Sequence, residues 1–226
     1  MKRRTTKLIK PARGLCVAAA IFLGWCVTIN ALAGNAPQPG NSNAHGSSLA
    51  GWEDLYWRWV YGDVAVPTDA NGNAVVGSVV LLALPNSSGD GTPASIDLTL
   101  GTGQSFVLPL WVLFGTSYDD GTPDDPMAPV SVFQTLEITF SIDGQTVINS
   151  SNVMDYFSQF FFSPPIPADF PPVNAIIWLQ GIGIVHNPLM PGNHVFKLHA
   201  KNTQLAFGTI FEYNNTWNVT VKPGHR

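Results

Sequence analysis

The chain contains very little cysteine. Its two cysteines, Cys16 and Cys26, both lie within the first 33 of 226 residues. Beyond those positions the sequence has no thiol, which excludes a disulfide, a cysteine nucleophile and a thiolate metal site from the rest of the protein. A chain of this length buries enough apolar surface to be stable without covalent cross-links.

Basic side chains are also scarce after the N-terminus. Residues 34–226 contain five lysines and arginines against fifteen aspartates and glutamates, so this part of the chain is strongly acidic. Nucleic acids and anionic lipid surfaces bind clustered lysine and arginine. We therefore expect no nucleic-acid partner, and contact with a membrane only during export or in an anchored form.

The first 33 residues have the organisation of an export signal. Six basic residues between Lys2 and Arg13 precede an apolar run that begins at Leu15, and Ala31-Leu32-Ala33 places small residues at the −3 and −1 positions. This pattern predicts a signal peptide over residues 1–33, cleavage after Ala33 and a secreted or periplasmic protein. The run from Leu15 is also long enough to span a bilayer, so an uncleaved anchor is the alternative.

The exported chain is expected to begin with a tail and a short helix. Residues 34–48 offer almost no side chain that gains from burial, which predicts a disordered leader. Apolar residues then recur at helical spacing, with Ser47 or Ser48 available as an N-cap. The sequence thus predicts one short amphipathic helix whose apolar positions are Trp52, Leu55, Tyr56 and Trp59.

The rest of the sequence has the pattern of strands and turns. Residues 136–142 alternate between apolar and polar, and Asp143-Gly144 is typical of a two-residue hairpin turn. Roughly nine short strands predict an all-β fold, an antiparallel β-sandwich of jelly-roll or Ig-like type, in a single domain over residues 50–222. Residues 154–172 hold five prolines and are expected to form an irregular excursion.

Five short stretches of the sequence also follow a recurring order. They are Trp52 to Trp59, Val66-Pro67-Thr68-Asp69-Ala70-Asn71-Gly72, Gly103 to Leu110, Ile142-Asp143-Gly144 and Leu189-Met190-Pro191-Gly192-Asn193-His194. With these stretches the chain resembles a group of uncharacterised secreted bacterial β-sandwich proteins. The resemblance implies export and the sandwich fold. It implies no catalytic residue, because the group has no established activity.

One acidic turn is a candidate metal site. Four aspartates lie within seven residues of a turn rich in glycine and proline, namely Asp119, Asp120, Asp124 and Asp125. Clustered carboxylate oxygens are the ligands that calcium requires. A calcium site is therefore one interpretation of the turn, and a solvated acidic loop is the other. No other cofactor is expected.

The histidines of the late strand do not form a zinc pattern. His194 and His199 are five residues apart, so on a strand they point to opposite faces. We expect His194 to be a hydrogen-bonded core residue on the face of Phe196 and Leu198. Lys197 lies on the opposite face and is expected to be exposed.

Aromatic side chains are concentrated in the proline-rich segment. Residues 154–172 contain more of them than a solvated loop tolerates, so the segment either packs over the sandwich as a lid or forms a binding rim. Three of these aromatics are the candidate ligand-binding residues, namely Tyr156, Phe160 and Phe162.

No acid, base and nucleophile stand in a recognisable arrangement for catalysis. The sequence therefore favours an exported, non-enzymatic binding or structural protein whose partner is a glycan or a protein. The alternative is an extracytoplasmic hydrolase that acts on carbohydrate through a pair of carboxylates. Glu137 and Glu212, the glutamates of the predicted strands, are the candidates for that pair.

Overall fold

The computed structural model describes residues 37–223, so the predicted signal peptide and its cleavage site lie outside the described residues. No helix in the described part is long and apolar enough to cross a membrane. The elements are β1 (Asn43–Ala44), β2 (Ser47–Ser48), α1 (Leu49–Val60), β3 (Ala74–Val76), β4 (Val79–Leu81), β5 (Asp90–Gly101), β6 (Ser105–Tyr118), α2 (Ser131–Gln134), β7 (Glu137–Ile142), β8 (Gln145–Asn149), a 3-10 turn (Val153–Tyr156), β9 (Phe157–Phe170), β10 (Val173–His186), β11 (Gly192–Lys201) and β12 (Glu212–Lys222).

The protein is mostly β, as the sequence predicts, and most of its strands form two five-stranded sheets. The first sheet has the order β3-β4-β6-β10-β9 and the second has the order β5-β12-β11-β7-β8. The expectation of purely antiparallel sheets is wrong, because β4 runs parallel to β6 and β5 runs parallel to β12. Strand β5 lies between β4 and β6 in sequence but belongs to the second sheet. After β5 the chain re-enters the first sheet at β6, which therefore runs in the same direction as β4.

Aromatic side chains from both sheets share one core. The ring of Phe106 on β6 lies 5.3 Å from the ring of Phe196 on β11, measured between centroids. Trp217 of β12 packs edge-on to Phe140 of β7 in the same cluster. Each fully buried side chain of this kind contributes roughly 1.5–3 kcal/mol to stability. The two sheets therefore pack against each other through this core.

Helix α1 packs on the other face of the first sheet. Its N-cap is Ser48, whose hydroxyl accepts a hydrogen bond from the Gly51 N–H. Trp52 and Tyr56 are buried in a second apolar cluster, between the helix and the sheet. The Tyr56 hydroxyl donates to the Leu82 carbonyl over 2.7 Å, which fixes the helix to the segment after β4.

The segment expected to be a disordered leader is structured from Pro37 onward. Gln38 bridges to Val185 of β10, and the Gly40 N–H donates to the Asp155 carbonyl. The Ala44 carbonyl accepts a hydrogen bond from the Trp52 indole. The N-terminal segment contributes backbone groups to these contacts, and a prediction based on side-chain composition does not detect them.

The proline-rich segment forms strand β9 instead of an irregular excursion. Strand β9 lies at the edge of the first sheet and pairs only with β10 among the described strands. A strand at an edge tolerates proline, because one side of its backbone needs no partner. The pairing of β9 with β10 has a register shift, because Ile166 pairs with Ile176 whereas Phe161 pairs with Trp178. This shift accommodates the residues of β9 between Phe161 and Ile166.

Two local predictions are confirmed, namely the turn at Asp143-Gly144 and the register of β11. Asp143 and Gly144 both have positive φ values in the turn between β7 and β8. Phe196 and Leu198 are buried on one face of β11, and Lys197 is exposed on the other. His194 is hydrogen-bonded as expected, but it is only partly buried, so the expectation of a core residue is wrong.

Candidate functional site

A cavity of about 270 Å³ lies where α1, β6, β12 and the segment after β4 meet. Strand β4 is short, and on β6 it reaches only the first residues, Ser105 to Val107. The later residues of β6 have no neighbouring strand on that side among the described strands. We call this cavity the indole pocket, and its principal lining residues are Trp57, Ser87, Trp111, Phe114, Tyr213 and Asn215.

The aromatic walls of the indole pocket are held in place by packing. The rings of Trp57 and Phe114 meet edge-on with centroids 4.7 Å apart, and Trp111 meets Phe133 edge-on at 5.2 Å. Trp57 is 7% exposed and Trp111 is 2% exposed. Side chains that are already ordered lose little conformational entropy when a ligand binds.

The walls also contain polar atoms without a partner. Within the described part of the chain, six buried side-chain nitrogen and oxygen atoms make no hydrogen bond. Four of the six belong to residues that line the indole pocket, namely Trp57 Nε1, Ser87 Oγ, Trp111 Nε1 and Asn215 Oδ1. Each unpaired buried polar group costs roughly 1–3 kcal/mol, and native proteins leave few of them. Their concentration around one cavity indicates a place for polar ligand atoms or ordered water.

The indole pocket carries no charge. None of the described residues that line it is acidic or basic. Burial raises the pKa of the Tyr213 phenol above its ordinary value, so this group stays neutral as well. A charged ligand would lose its hydration without gaining an ion pair here, so the lining favours a neutral ligand.

A glycine allows one wall to form. Gly89 has a φ of +74°, and a Cβ at this position would lie 3.1 Å from the Tyr213 hydroxyl oxygen. A larger residue would therefore be strained in its backbone and crowded against the tyrosine. The pocket could not be recognised in the sequence, because its residues come from four separate segments. Among these segments, the run of serine and glycine after β4 is the feature that indicates an unusual turn.

The four aspartates of the acidic turn are not brought together as metal ligands. The Asp125 carboxylate accepts hydrogen bonds from the N–H and the hydroxyl of Thr116 and from the Tyr118 hydroxyl. A hydrogen bond from the Thr122 side chain lowers the pKa of Asp120. The other two aspartates are exposed. Among residues 37–223, no group of three or more metal-ligating side chains is arranged to hold an ion.

The three candidate binding aromatics occupy different environments. Tyr156 is buried in the core between the sheets. Phe162 is buried beneath α1, where the Arg58 guanidinium carbon lies 5.6 Å from its ring centroid. Phe160 is half-buried and packs edge-on to Phe162 at 5.0 Å. These residues do not line the indole pocket, and packing accounts for their positions.

The two candidate catalytic glutamates lie beside a lysine on the second sheet. Glu212 Oε2 is 3.0 Å from Lys201 Nζ, and Glu212 Oε1 is 3.2 Å from His199 Nε2. Glu137 is exposed and pairs in register with Lys201. The hydrogen bond from Lys201 lowers the pKa of Glu212. The general acid of a glycosidase needs the opposite shift.

A buried carboxyl on α1 is a further feature that the sequence reasoning missed. Glu53 is fully buried and accepts a hydrogen bond from the Ser158 hydroxyl. Burial raises the pKa of Glu53 to about 7. A Cβ at position 183 would overlap Glu53 Oε1, so Gly183 provides the space for this side chain. The sequence feature that indicates this burial is the position of Glu53 next to Trp52, on the apolar side of the helix.

Comparison with known proteins provides no family for this chain. No protein-family description matches it, and no curated protein matches it. A solved structure titled "Structure of PbICP-C in complex with falcipain-2" is similar over 65% of this chain and 100% of that chain, with 17% sequence identity and a TM-score of 0.29. This likeness is too weak to indicate a function for the chain.

Proposed function

We propose that this protein is an exported, non-enzymatic binding protein that takes one neutral sugar unit in the indole pocket. The scaffold proposed for it is a β-sandwich of jelly-roll or Ig-like type. The observation that carries the proposal is the group of four unpartnered polar atoms around an uncharged cavity with aromatic walls.

The chemistry of a sugar ring matches this lining. Its C–H faces pack against aromatic rings, and its hydroxyl groups both donate and accept hydrogen bonds. The unpartnered atoms include two indole N–H donors, one hydroxyl and one amide oxygen, which together offer both roles. A purely apolar ligand would leave these atoms unpaired and would not gain the affinity that hydrogen bonds to them provide.

The size of the pocket limits the ligand. Sites for drug-sized molecules have volumes of roughly 300–1,000 Å³. The indole pocket, at about 270 Å³, lies just below that range and suits a single ring. The four polar atoms are themselves covered in the free protein, so the groups that cover them have to shift when a ligand binds. Rotation about a single bond is sufficient to reorient the Ser87 hydroxyl.

Calorimetric titration of the exported protein tests this proposal. The probes are glucose, galactose, mannose and N-acetylglucosamine, with glucosamine and glucuronic acid as charged counterparts. We expect at least one neutral sugar to bind and the charged counterparts to bind more weakly. Trp111→Phe keeps an aromatic ring but removes the N–H, and we expect it to weaken binding about tenfold.

Trp178→Phe is the matched control for this substitution. The Trp178 indole already donates to the Asp125 carbonyl over 2.8 Å, and Trp178 does not line the indole pocket. We expect this variant to bind sugar with the affinity of the unmodified protein. The proposal is overturned if no neutral sugar binds, or if Trp111→Phe binds as tightly as the control.

A further inference from the structure

A second cavity lies directly beside the indole pocket. It has a volume of about 430 Å³ and is lined by Tyr56, Trp59, Val60, Ala83 and Leu84. Leu84 also lines the indole pocket, so the two cavities share a wall. We call the second cavity the Trp59 groove.

The shared wall is held rigidly from two sides. The Tyr56 hydroxyl donates to the Leu82 carbonyl over 2.7 Å, and the Trp217 indole donates to the Ala83 carbonyl over 3.0 Å. The two carbonyls precede Leu84 directly, so α1 and β12 together fix its backbone. The spacing between the two cavities is therefore a fixed property of the fold.

The two cavities differ in what they offer a ligand. The Trp59 groove contains no charged residue, and its one hydroxyl, on Tyr56, is already used in the bond to Leu82. Trp59 is half-buried and meets Tyr56 edge-on with centroids 5.7 Å apart, which restrains its ring. The groove therefore supplies stacking, whereas the unpartnered polar atoms belong to the indole pocket.

We propose that the two cavities are consecutive subsites for adjacent rings of one neutral oligosaccharide. This inference rests on the proposed function. The first ring lies in the indole pocket, where its hydroxyl groups are bound. The second ring stacks on Trp59 with its hydroxyl groups in water, and the chain passes over Leu84. A platform of this kind tolerates different substituents on the second ring, because a stacking contact has no donor or acceptor pattern.

Titration with sugars of increasing length tests the inference. The probes are glucose, cellobiose and cellotriose, and in a second series N-acetylglucosamine, chitobiose and chitotriose. In the series that binds, we expect the disaccharide to bind about tenfold more tightly than the monosaccharide. The trisaccharide should bind like the disaccharide, because the two subsites are then filled.

Variants at Trp59 decide whether the groove is the second subsite. Trp59→Ala should reduce the disaccharide affinity to that of the monosaccharide, while monosaccharide affinity stays within about twofold. Trp59→Phe should keep most of the gain, because it retains an aromatic face. Val60→Arg tests the same point without removing packing, since Val60 is 47% exposed at the rim of the groove. A charged side chain there should obstruct the second ring only.

The possible failures are distinguishable. Equal affinity for monosaccharide and disaccharide, or a gain that persists in Trp59→Ala and in Val60→Arg, overturns the second subsite and leaves the proposed function intact. Absence of binding to every sugar overturns the proposed function, and the second subsite with it. Weaker monosaccharide binding in Trp59→Phe would assign Trp59 to the first subsite and also contradict the inference.

Discussion

The Ser158 hydroxyl of β9 donates a hydrogen bond to the Glu53 carboxyl of α1, and both side chains are buried. The other carboxyl oxygen of Glu53 has no hydrogen-bond partner in the described part of the protein. Burial raises the pKa of Glu53 to about 7, and the hydrogen bond from Ser158 offsets only part of that effect. The helix that contributes Trp57 to the indole pocket is therefore attached to the sheet through a group that titrates near neutral pH.

We expect the free energy of unfolding to decrease as the pH rises from about 4.5 to about 7. The folded protein holds the Glu53 proton up to a pKa of about 7, whereas the unfolded chain releases it near 4.5. The loss is complete above about pH 7 and amounts to about 3 kcal/mol. Denaturant titrations across this range measure it. Glu53→Gln is the control and should remove this part of the pH dependence, because an amide does not titrate there.

The difference between the two unfolding curves isolates Glu53 from other titrating groups. Contributions common to both proteins cancel when the curve of the variant is subtracted. Parallel curves for the unmodified protein and Glu53→Gln would contradict the burial of a protonated carboxyl at this position.

A second pH-dependent contact involves His194 and Asp143. His194 Nδ1 is 2.6 Å from Asp143 Oδ2, and His194 Nε2 is 2.8 Å from the Met190 carbonyl oxygen. Partial burial alone would lower the pKa of His194, but the hydrogen bonds to these two acceptors raise it above its ordinary value. The stabilisation is present below pH ~6.5 and is lost as the pH rises through the higher pKa of the folded state.

We expect Asp143→Asn to lower the His194 pKa in an NMR titration of the imidazole. Asparagine also tolerates the positive φ of this turn position, so the hairpin should be retained. Thr220→Ala, on the neighbouring strand β12, is a control that should leave the titration unchanged. An unaltered His194 pKa in Asp143→Asn would show that the carboxylate does not contribute.

The sequence predicted those elements whose patterns are local. The alternation of residues 136–142 and the Asp143-Gly144 turn depend only on neighbouring positions, and both agree with the structure. The β9 strand did not follow from its sequence, because its prolines are acceptable only at a sheet edge, and edge position depends on the whole strand order. Local patterns do not reveal strand order.

The candidate site could not be predicted for a related reason. Trp57 and Trp111 are both buried, as are many other aromatic residues of this protein. What distinguishes them is the lack of a partner for each indole N–H, which depends on the atoms that surround them in the fold. The acidic turn was the more conspicuous signal in the sequence, yet Asp120 and Asp125 bond to neighbouring threonine and tyrosine groups, and Asp119 and Asp124 are exposed.

The core position of Phe196 makes a quantitative prediction about β11. Its ring is fully buried and stacks on Phe106. We expect Phe196→Ala to cost about 3–5 kcal/mol in denaturant unfolding, because it leaves a cavity between the two sheets. Lys197→Ala, one residue further on the exposed face, is the control and should change stability by less than about 0.5 kcal/mol. The reverse order of effects would mean that the β11 register is shifted by one residue.

The unpaired indole of Trp111 leads to a prediction about stability that needs no ligand. Trp111→Phe and Trp178→Phe remove the same atoms from two buried side chains, so the loss of packing is comparable. Trp178→Phe also leaves the Asp125 carbonyl without its donor, whereas Trp111→Phe removes a donor that has no partner among the described residues. Trp178→Phe should therefore be the less stable variant by about 1–3 kcal/mol, measured by denaturant unfolding without sugar. Equal losses would mean that the Trp111 N–H already has a hydrogen-bond partner in the free protein, for example a buried water. It would then not be an unpaired donor for a ligand.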